Sequence, residues 1–138
     1  MSQIEKTFAI IKPDAVQAGY RQDIINMIKA HGFTILAEQP GQWTRADAEQ
    51  FYAIHSARPF FGELVEFMIS GPVVMLVLEK ENAVLAWRDL MGATNPAEAA
   101  AGTVRSLYGT SIGNNATHGS DSVENAKIEI GQFFPELV

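Results

Sequence analysis

The segment GPVVMLVLE, residues 71–79, limits the possible folds more than any other part of the chain. A Gly-Pro turn pair opens it, and an apolar run rich in β-branched residues follows. This pattern is typical of a buried β-strand. The chain around it has 138 residues, 47% hydrophobic and 19% charged, which is ordinary for one globular domain with its own core. We therefore expect residues 1–138 to form a single domain built on a sheet.

Two other segments also have the character of strands: KTFAIIKP, residues 6–13, and FTILAEQPGQW, residues 33–43. In the first, a period of two places Phe8, Ile10 and Lys12 on one face. A fourth, short strand is possible at ATHG, just before the last predicted helix.

Apolar residues at helical spacing predict helices within residues 20–33, 44–71, 81–92 and 121–131. Gly32 and Gly92 follow two of these segments as termination signals, and Pro59 divides the second into two pieces. A short helical turn is possible around Val104. Residues that can cap a helix N-terminus mark the starts: Thr44 or Asp47, Asn82, Asn95 before Pro96, and Asp121 or Ser122. The order of elements predicts an α/β sandwich in which helices cover one face of a small sheet.

Composition excludes several classes of protein. The chain has no cysteine, so disulfides and thiolate metal sites are ruled out, and a reducing compartment fits. The N-terminus lacks the pattern of a signal peptide, and no apolar run reaches the length of a membrane span. We therefore expect a cytoplasmic protein. The formal net charge of −6 argues against broad binding to nucleic acid, although an acidic protein can still hold a focused cationic pocket for a small anion.

His118 stands between a glycine-rich loop and the predicted last helix. A lone histidine at such a place more often stabilises a loop than carries out chemistry. Here, however, the N-terminus of the helix offers unpaired N–H groups that would bind a phosphate placed on the ring. The residues around His118 leave both interpretations open.

Four other polar residues are candidates for an anion site. Lys12 follows an apolar strand and either reaches solvent or binds an anionic or hydroxyl partner. Arg88 and Arg105 are each unremarkable alone, but together with Thr94 they suggest a grip on phosphate oxygens. Phe60 is either core or a flat face for stacking a base. No Walker A loop and no protein-kinase signature occurs, so a nucleotide enzyme here would use a different plan.

The segments KPDAV, HSARPFFGELVEFMISGPVVMLVLE, WRDLMGATNPAEAAAGTVR and NNATHGSDSVENAKIEI resemble the nucleoside diphosphate kinase family over nearly the whole chain. The short C-terminal tail is similar to that of bacterial members. The resemblance implies a ferredoxin-like βαββαβ sandwich with additional helices on an antiparallel four-stranded sheet. It also implies transfer of the γ-phosphoryl group from a nucleoside triphosphate, typically ATP, to a nucleoside diphosphate of any base by a ping-pong mechanism.

The same resemblance implies the catalytic residues. His118 would accept the phosphoryl group on Nδ1, and Glu129 would bind the other ring nitrogen. Ser120 would assist beside the ring, Lys12 would reach the transferring phosphate, and Tyr52 would lie next to the phosphate site.

The implied binding residues divide among the three parts of a nucleotide. Arg88, Arg105 and Thr94 would bind the phosphates, and Lys12 and Asn115 the sugar hydroxyls. The residues that would hold the base are Phe60 and Ile112, with Leu64 behind. Mg²⁺ would be held mainly by the substrate's phosphates and by water, with no metal site of the protein's own and Asp121 as an outer contact. The resemblance further implies a homo-oligomer, a tetramer or hexamer built from dimers.

Two alternatives stay open: a regulatory or scaffold module of the same fold without catalysis, and a protein that binds nucleotides or nucleic acid without transferring a phosphoryl group. Only the kinase would gain an acid-labile phosphate on mixing with ATP and Mg²⁺.

Overall fold

The computed structural model describes residues 4–53 and 56–138. In these ranges four strands form one antiparallel sheet in the order β2-β3-β1-β4. The strands are β1 (Ile4–Ile11), β2 (Thr34–Gly41), β3 (Val73–Glu81) and β4 (Thr117–Gly119). All four sequence predictions of strands are confirmed, including the short one at ATHG.

Seven α-helices accompany the sheet in the described part of the chain. They are α1 (Pro13–Gln17), α2 (Arg21–Ala30), α3 (Arg45–Phe51), α4 (Phe61–Met68), α5 (Ala83–Met91), α6 (Val104–Tyr108) and α7 (Val123–Phe133). The described residues also form two 3₁₀ turns, Pro96–Glu98 and Pro135–Leu137. The order β1-α2-β2-β3-α5-β4 is the βαββαβ arrangement of ferredoxin-like folds, to which the other helices are additions.

Both faces of the sheet are buried, which corrects the prediction that helices cover one face. The first core packs α2 and α5 against one face, through residues such as Ile11, Leu76 and Trp87. The second core packs α3, α4 and α7 against the opposite face, through residues such as Phe8 and Val77. The cause is the sequence of the two central strands. In β1 and β3 consecutive residues are apolar, so apolar side chains point to both faces of the sheet.

Most of the predicted helix boundaries are confirmed. Thr44 and Asp47 form a reciprocal capping box at the start of α3. Gly32 and Gly92 follow α2 and α5 with φ of +82° and +86°, the left-handed backbone that glycine adopts without a Cβ penalty. Ser122 caps α7 by accepting the Asn125 N–H.

Two boundaries differ from expectation. Asn82 stands before α5 but adopts a left-handed φ of 53°, and its side chain makes no capping hydrogen bond. Lys12 lies after β1 rather than within it, because Pro13 starts the five-residue helix α1. No helix within residues 4–53 and 56–138 combines the length and apolar character needed to cross a bilayer.

Candidate active site

His118 is the central residue of β4 and pairs with Ile10 of β1. Its ring lies on the side of the second core, where it meets Phe51 edge to face at a centroid distance of 5.0 Å. From the opposite side of the sheet, Trp87 Nε1 donates a hydrogen bond to the His118 carbonyl at 3.0 Å. The ring thus sits on a strand anchored from both faces, and not in a free loop.

Glu129 of α7 fixes the orientation of the imidazole. Its Oε1 lies 3.1 Å from His118 Nε2 and also accepts the Ser120 hydroxyl at 2.8 Å. The Ser120 oxygen accepts the Phe8 N–H at 3.1 Å in turn. Because a carboxylate only accepts hydrogen bonds, Nε2 carries the hydrogen of the neutral ring and Nδ1 carries the lone pair. No described residue forms a hydrogen bond to Nδ1, so a nucleophilic nitrogen is left available.

Gly119 makes room for Trp87, not for a ligand. A Cβ built on Gly119 would lie 2.5 Å from Trp87 Cδ1 and 2.6 Å from Met91 Cε. Gly119 therefore acts on the packing of the indole. It lets the indole pack close enough to hold the backbone of the neighbouring histidine.

Lys12 and Asn115 form a buried polar pair, although 103 positions separate them in the chain. The Lys12 ammonium donates to Asn115 Oδ1 at 3.0 Å, and Asn115 Nδ2 donates to the Thr94 carbonyl at 3.2 Å. Burial, reinforced by nearby Arg105, lowers the pKa of Lys12 to about 8. The ammonium that the sequence left undecided between solvent and a partner is thus desolvated and partnered.

Arg105 is also buried, and it is held by backbone carbonyls. Its two terminal nitrogens donate to Gly92 O at 3.1 Å and to Thr117 O at 2.9 Å. Burial, followed by the charge of Arg88, lowers the pKa of Arg105 to about 10. Arg88 itself is half exposed and pairs with Asp121 at 3.2 Å. The two cations thus lie near each other, one fixed and one at the surface.

Tyr52 follows α3 as its C-cap, directly after Phe51, which packs against the His118 ring. It contacts Phe51 edge to face, and its hydroxyl is buried without a hydrogen-bond partner among the described residues. Burial, and then the charge of Glu129, raises the pKa of Tyr52 above its usual range. The hydroxyl thus remains protonated and able to donate to an incoming oxygen.

The three residues expected at the base are much more open. Phe60 precedes α4 and is 46% exposed, and Ile112 lies in the loop before β4 at 61%. Leu64, half-buried on α4, donates its N–H to the Phe60 carbonyl. Thr94, expected at the phosphates, is exposed beside the Lys12–Asn115 pair.

A protein-built metal cage is absent from residues 4–53 and 56–138, where no three acidic or histidine side chains converge. Asp121, the acidic residue closest in sequence to His118, is exposed and engaged by Arg88. This donor set fits a cation that keeps most of its bonds to phosphate oxygens and water.

Sequence reasoning gave no role to two residues that hold this site, Asp14 and Trp87. Asp14 Oδ2 accepts the N–H of Ala116, which has a left-handed φ of 74°. The acidic residue after Lys-Pro was a usable signal, since carboxylates in the first turn of a helix readily accept N–H groups. In the sequence Trp87 is an ordinary apolar position of a helix. No local pattern predicts its hydrogen bond to the His118 carbonyl.

Known proteins resemble this chain over nearly its whole length. The family model for nucleoside diphosphate kinase matches residues 5–137. The nucleoside diphosphate kinase of Hyphomonas neptunium is 57% identical over 133 residues, which cover 96% of this chain and 95% of that protein. That of Phenylobacterium zucineum is 58% identical over 96% and 95% of the two chains.

Two solved structures also match nearly the whole chain. The Aquifex aeolicus nucleoside diphosphate kinase superposes with a TM-score of 0.96 and 43% identity, and the match covers 98% of each chain. A halophilic nucleoside diphosphate kinase from Halobacterium salinarum, solved in complex with CDP, gives a TM-score of 0.91 and 39% identity over 96% of this chain and 88% of that one.

Proposed function

The chain belongs to the nucleoside diphosphate kinase family, and from this membership we propose which of its side chains carry out the reaction. The enzyme transfers the γ-phosphoryl group of a nucleoside triphosphate to a nucleoside diphosphate by a ping-pong mechanism through a phosphohistidine. The assignment of this reaction to particular atoms depends mainly on one observation. The Nε2 atom of His118 is bound by Glu129, and Nδ1 has no hydrogen-bond partner among the described residues.

The first half-reaction begins with the Nδ1 lone pair of His118. It attacks the γ-phosphorus, a P–N bond forms, and the bond from phosphorus to the bridging oxygen breaks with its electron pair going to the departing diphosphate. Glu129 balances the positive charge that develops on the ring, and Ser120 holds Glu129 in place. In the second half-reaction a terminal oxygen of another nucleoside diphosphate attacks the phosphorus, the P–N bond breaks with its electron pair returning to Nδ1, and the histidine is restored.

The cations neutralise charge on the transferring group. We assign Lys12, Arg88 and Arg105 to the phosphate oxygens, with Thr94 beside them and Tyr52 donating from its buried hydroxyl. Two observations support this assignment. Lys12 and Arg105 are buried, at 8% and 9% exposure, and the charge of Arg88 lowers the pKa of Arg105, which places the two arginines near each other. Such charges act strongly in a desolvated site because they need no rearrangement during transfer.

The sugar is assigned beside the phosphates, because Lys12 serves both, and the base is assigned to the more exposed end of the site. Asn115, together with Lys12, would bind the sugar hydroxyls, and the base would lie between Phe60 and Ile112 with Leu64 behind. The exposed apolar faces of Phe60 and Ile112 support this assignment. Neither side chain can read the edge of a base, which fits a broad choice of nucleotide.

Enzymes of this family need a divalent cation. We propose that Mg²⁺ binds through the phosphates of the substrate and through water, with Asp121 as an outer contact that also holds Arg88. The cation supplies charge neutralisation and keeps the phosphate chain in one conformation.

Intact-mass spectrometry of the protein mixed with ATP and Mg²⁺ tests the proposal. The wild-type chain should gain one acid-labile phosphoryl group, and His118→Ala should gain none. His31→Ala is the matched control, because His31 is an exposed histidine at the end of α2 and should leave the label unchanged. A phosphoryl group that persists in His118→Ala would contradict the assignment.

We also propose that residues 1–138 act as one kinase domain and assemble as a homo-oligomer of dimers, a tetramer or a hexamer. Exposed apolar side chains such as Ile4, Leu85 and Ile128 support burial in an assembly. Native mass spectrometry distinguishes the two sizes, and a monomer would contradict the proposal. The cytoplasmic location stays a prediction from the sequence, which cell fractionation tests.

A further inference from the structure

Asp14 is a half-buried carboxylate that the mechanism above does not use. It is the second residue of α1, and its Oδ1 atom is buried without a hydrogen-bond partner among the described residues. Burial, ahead of every other influence, raises the pKa of Asp14. Withdrawing a carboxylate from water is costly, so a carboxylate held there needs a compensating contact.

That contact is with Ala116. The N–H and the carbonyl of Ala116 are both hydrogen-bonded to the start of α1. Asp14 Oδ2 accepts the Ala116 N–H at 3.1 Å, and the Ala116 carbonyl accepts the Lys12 N–H at 2.8 Å. Ala116 is fully buried and has a φ of 74°, a conformation that residues with a Cβ rarely adopt. Such a backbone persists only where its surroundings hold it, and here two hydrogen bonds from one segment do so.

The turn at Ala116 decides where its neighbours point. Asn115, immediately before it, accepts the Lys12 ammonium at 3.0 Å. Thr117, immediately after it, presents the carbonyl that holds Arg105 at 2.9 Å. A shift of the turn would therefore displace Asn115 relative to Lys12, because Asn115 is bonded directly to the residue that forms the turn.

We infer that Asp14 is a positioning residue for the sugar-binding pair: its carboxylate holds the left-handed turn at Ala116 and thereby keeps Asn115 in register with Lys12. This inference rests on the proposed roles of Lys12 and Asn115 at the sugar hydroxyls. In this inference Asp14 acts on nucleotide binding only through that pair.

The experiment compares Asp14→Ala, which removes the acceptor, with Asp14→Asn, which keeps an acceptor oxygen and removes the charge. Asp23→Ala is the matched control, because Asp23 is an exposed acidic residue in the first turn of α2 and reports the loss of a helix-terminal charge alone. For each protein, kcat and KM are measured with a nucleoside diphosphate and with its 2′,3′-dideoxy analogue.

In Asp14→Ala we expect kcat/KM for the normal diphosphate to fall by about tenfold or more, because misplaced binding groups forfeit orientation. The loss should appear mainly in KM, and the dideoxy analogue should lose much less, so the ratio between the two substrates shrinks. Asp14→Asn should keep most of the ratio, and Asp23→Ala should keep all of it.

Should Asp14→Ala fail to fold, Asp14→Ala/Ala116→Gly replaces it, because glycine removes the strain of the turn but populates positive and negative φ alike, so that without the acceptor nothing holds the turn in place. A wild-type ratio in the folded Asp14→Ala or double variant would overturn the inference and leave Asp14 a stabilising residue only. If the wild-type enzyme itself treats both substrates alike, the assigned roles of Lys12 and Asn115 fail, and the inference fails with them. Phosphorylation of His118 is scored separately and is independent of both outcomes.

Discussion

The two ends of the proposed nucleotide site are built differently. At the phosphate end, Lys12 and Arg105 are 8% and 9% exposed, and each is held by hydrogen bonds to other parts of the chain. At the base end, Phe60 and Ile112 are 46% and 61% exposed. The difference shows that Lys12 and Arg105, unlike Arg88 at the surface, are fixed before substrate arrives.

The contrast has a physical basis. Fixing a long side chain on binding costs conformational entropy, and a charge that must reorient during transfer stabilises the transition state less. At the base end little is gained from fixed geometry, because every base presents a flat π-face for stacking. We therefore expect substitutions at the phosphate end to act on the chemical step, and those at the base end to act weakly on binding.

The largest effect should come from His118→Ala. Removing the nucleophile should abolish phosphotransfer, while the fold and nucleotide affinity persist, because the ring is partly exposed and not part of either core. Steady-state activity is measured beside circular dichroism and nucleotide binding. Substantial residual activity in a folded variant would refute the phosphohistidine assignment.

Arg105→Ala should cost about 10²-fold in kcat/KM, with a clear loss in kcat, because a fixed charge at the transferring phosphate is lost. Arg21→Ala serves as the control, since that exposed arginine pairs with Glu38 on the surface. An unchanged kcat with a raised KM would show that Arg105 contributes uniform binding and would remove it from the chemical step.

The pH dependence tests whether Lys12 is desolvated before substrate binds. Its ammonium is charged below a pKa of about 8 and loses its proton as the pH rises through that value. Because kcat/KM reports the free enzyme, it should fall above about pH 8, approaching roughly tenfold per pH unit. Lys12→Arg keeps a charge over this range, so its profile should lack that limb even if its absolute activity is lower. The same limb in both proteins would assign it to another group.

The smallest effect should be the difference among bases. The values of kcat/KM for the diphosphates of adenosine, guanosine, cytidine and uridine, against one fixed donor, should lie within roughly tenfold, with purines favoured by their larger stacking area. A preference of about 10⁴-fold for one base, the level typical of a hydrogen-bonding site, would mean that the open end reads base edges after all.

Local patterns predicted the secondary structure well because local physics determines it. The capping box at Thr44 and the glycine after α2 are each decided within a few residues. The sequence also contained the signal for helices on both faces of the sheet, since residues 8–11 are all apolar. The prediction used only the face of β1 that carries Phe8 and Ile10. Helix α1 was not predicted, although Pro13 at its first position was a usable start signal.

The site itself could be predicted only in part. Its residue types followed from the family resemblance, but their contacts join segments about a hundred positions apart, as Lys12 and Asn115 do. No spacing rule connects such residues, because the sheet order β3-β1-β4 brings them together. The roles of individual residues stay predictions until the variants above are measured.

The close fit of Gly119 to the indole of Trp87 has a consequence for how this sequence can change over time. A Cβ at position 119 would overlap the ring at 2.5 Å, so Gly119→Ala should be harmful in this background. The penalty should shrink once residue 87 is smaller, which makes the effect of one substitution depend on the other. Epistasis of this kind predicts an order of events: a lineage that enlarges residue 119 must first give up the tryptophan, and with it the bond to the His118 carbonyl.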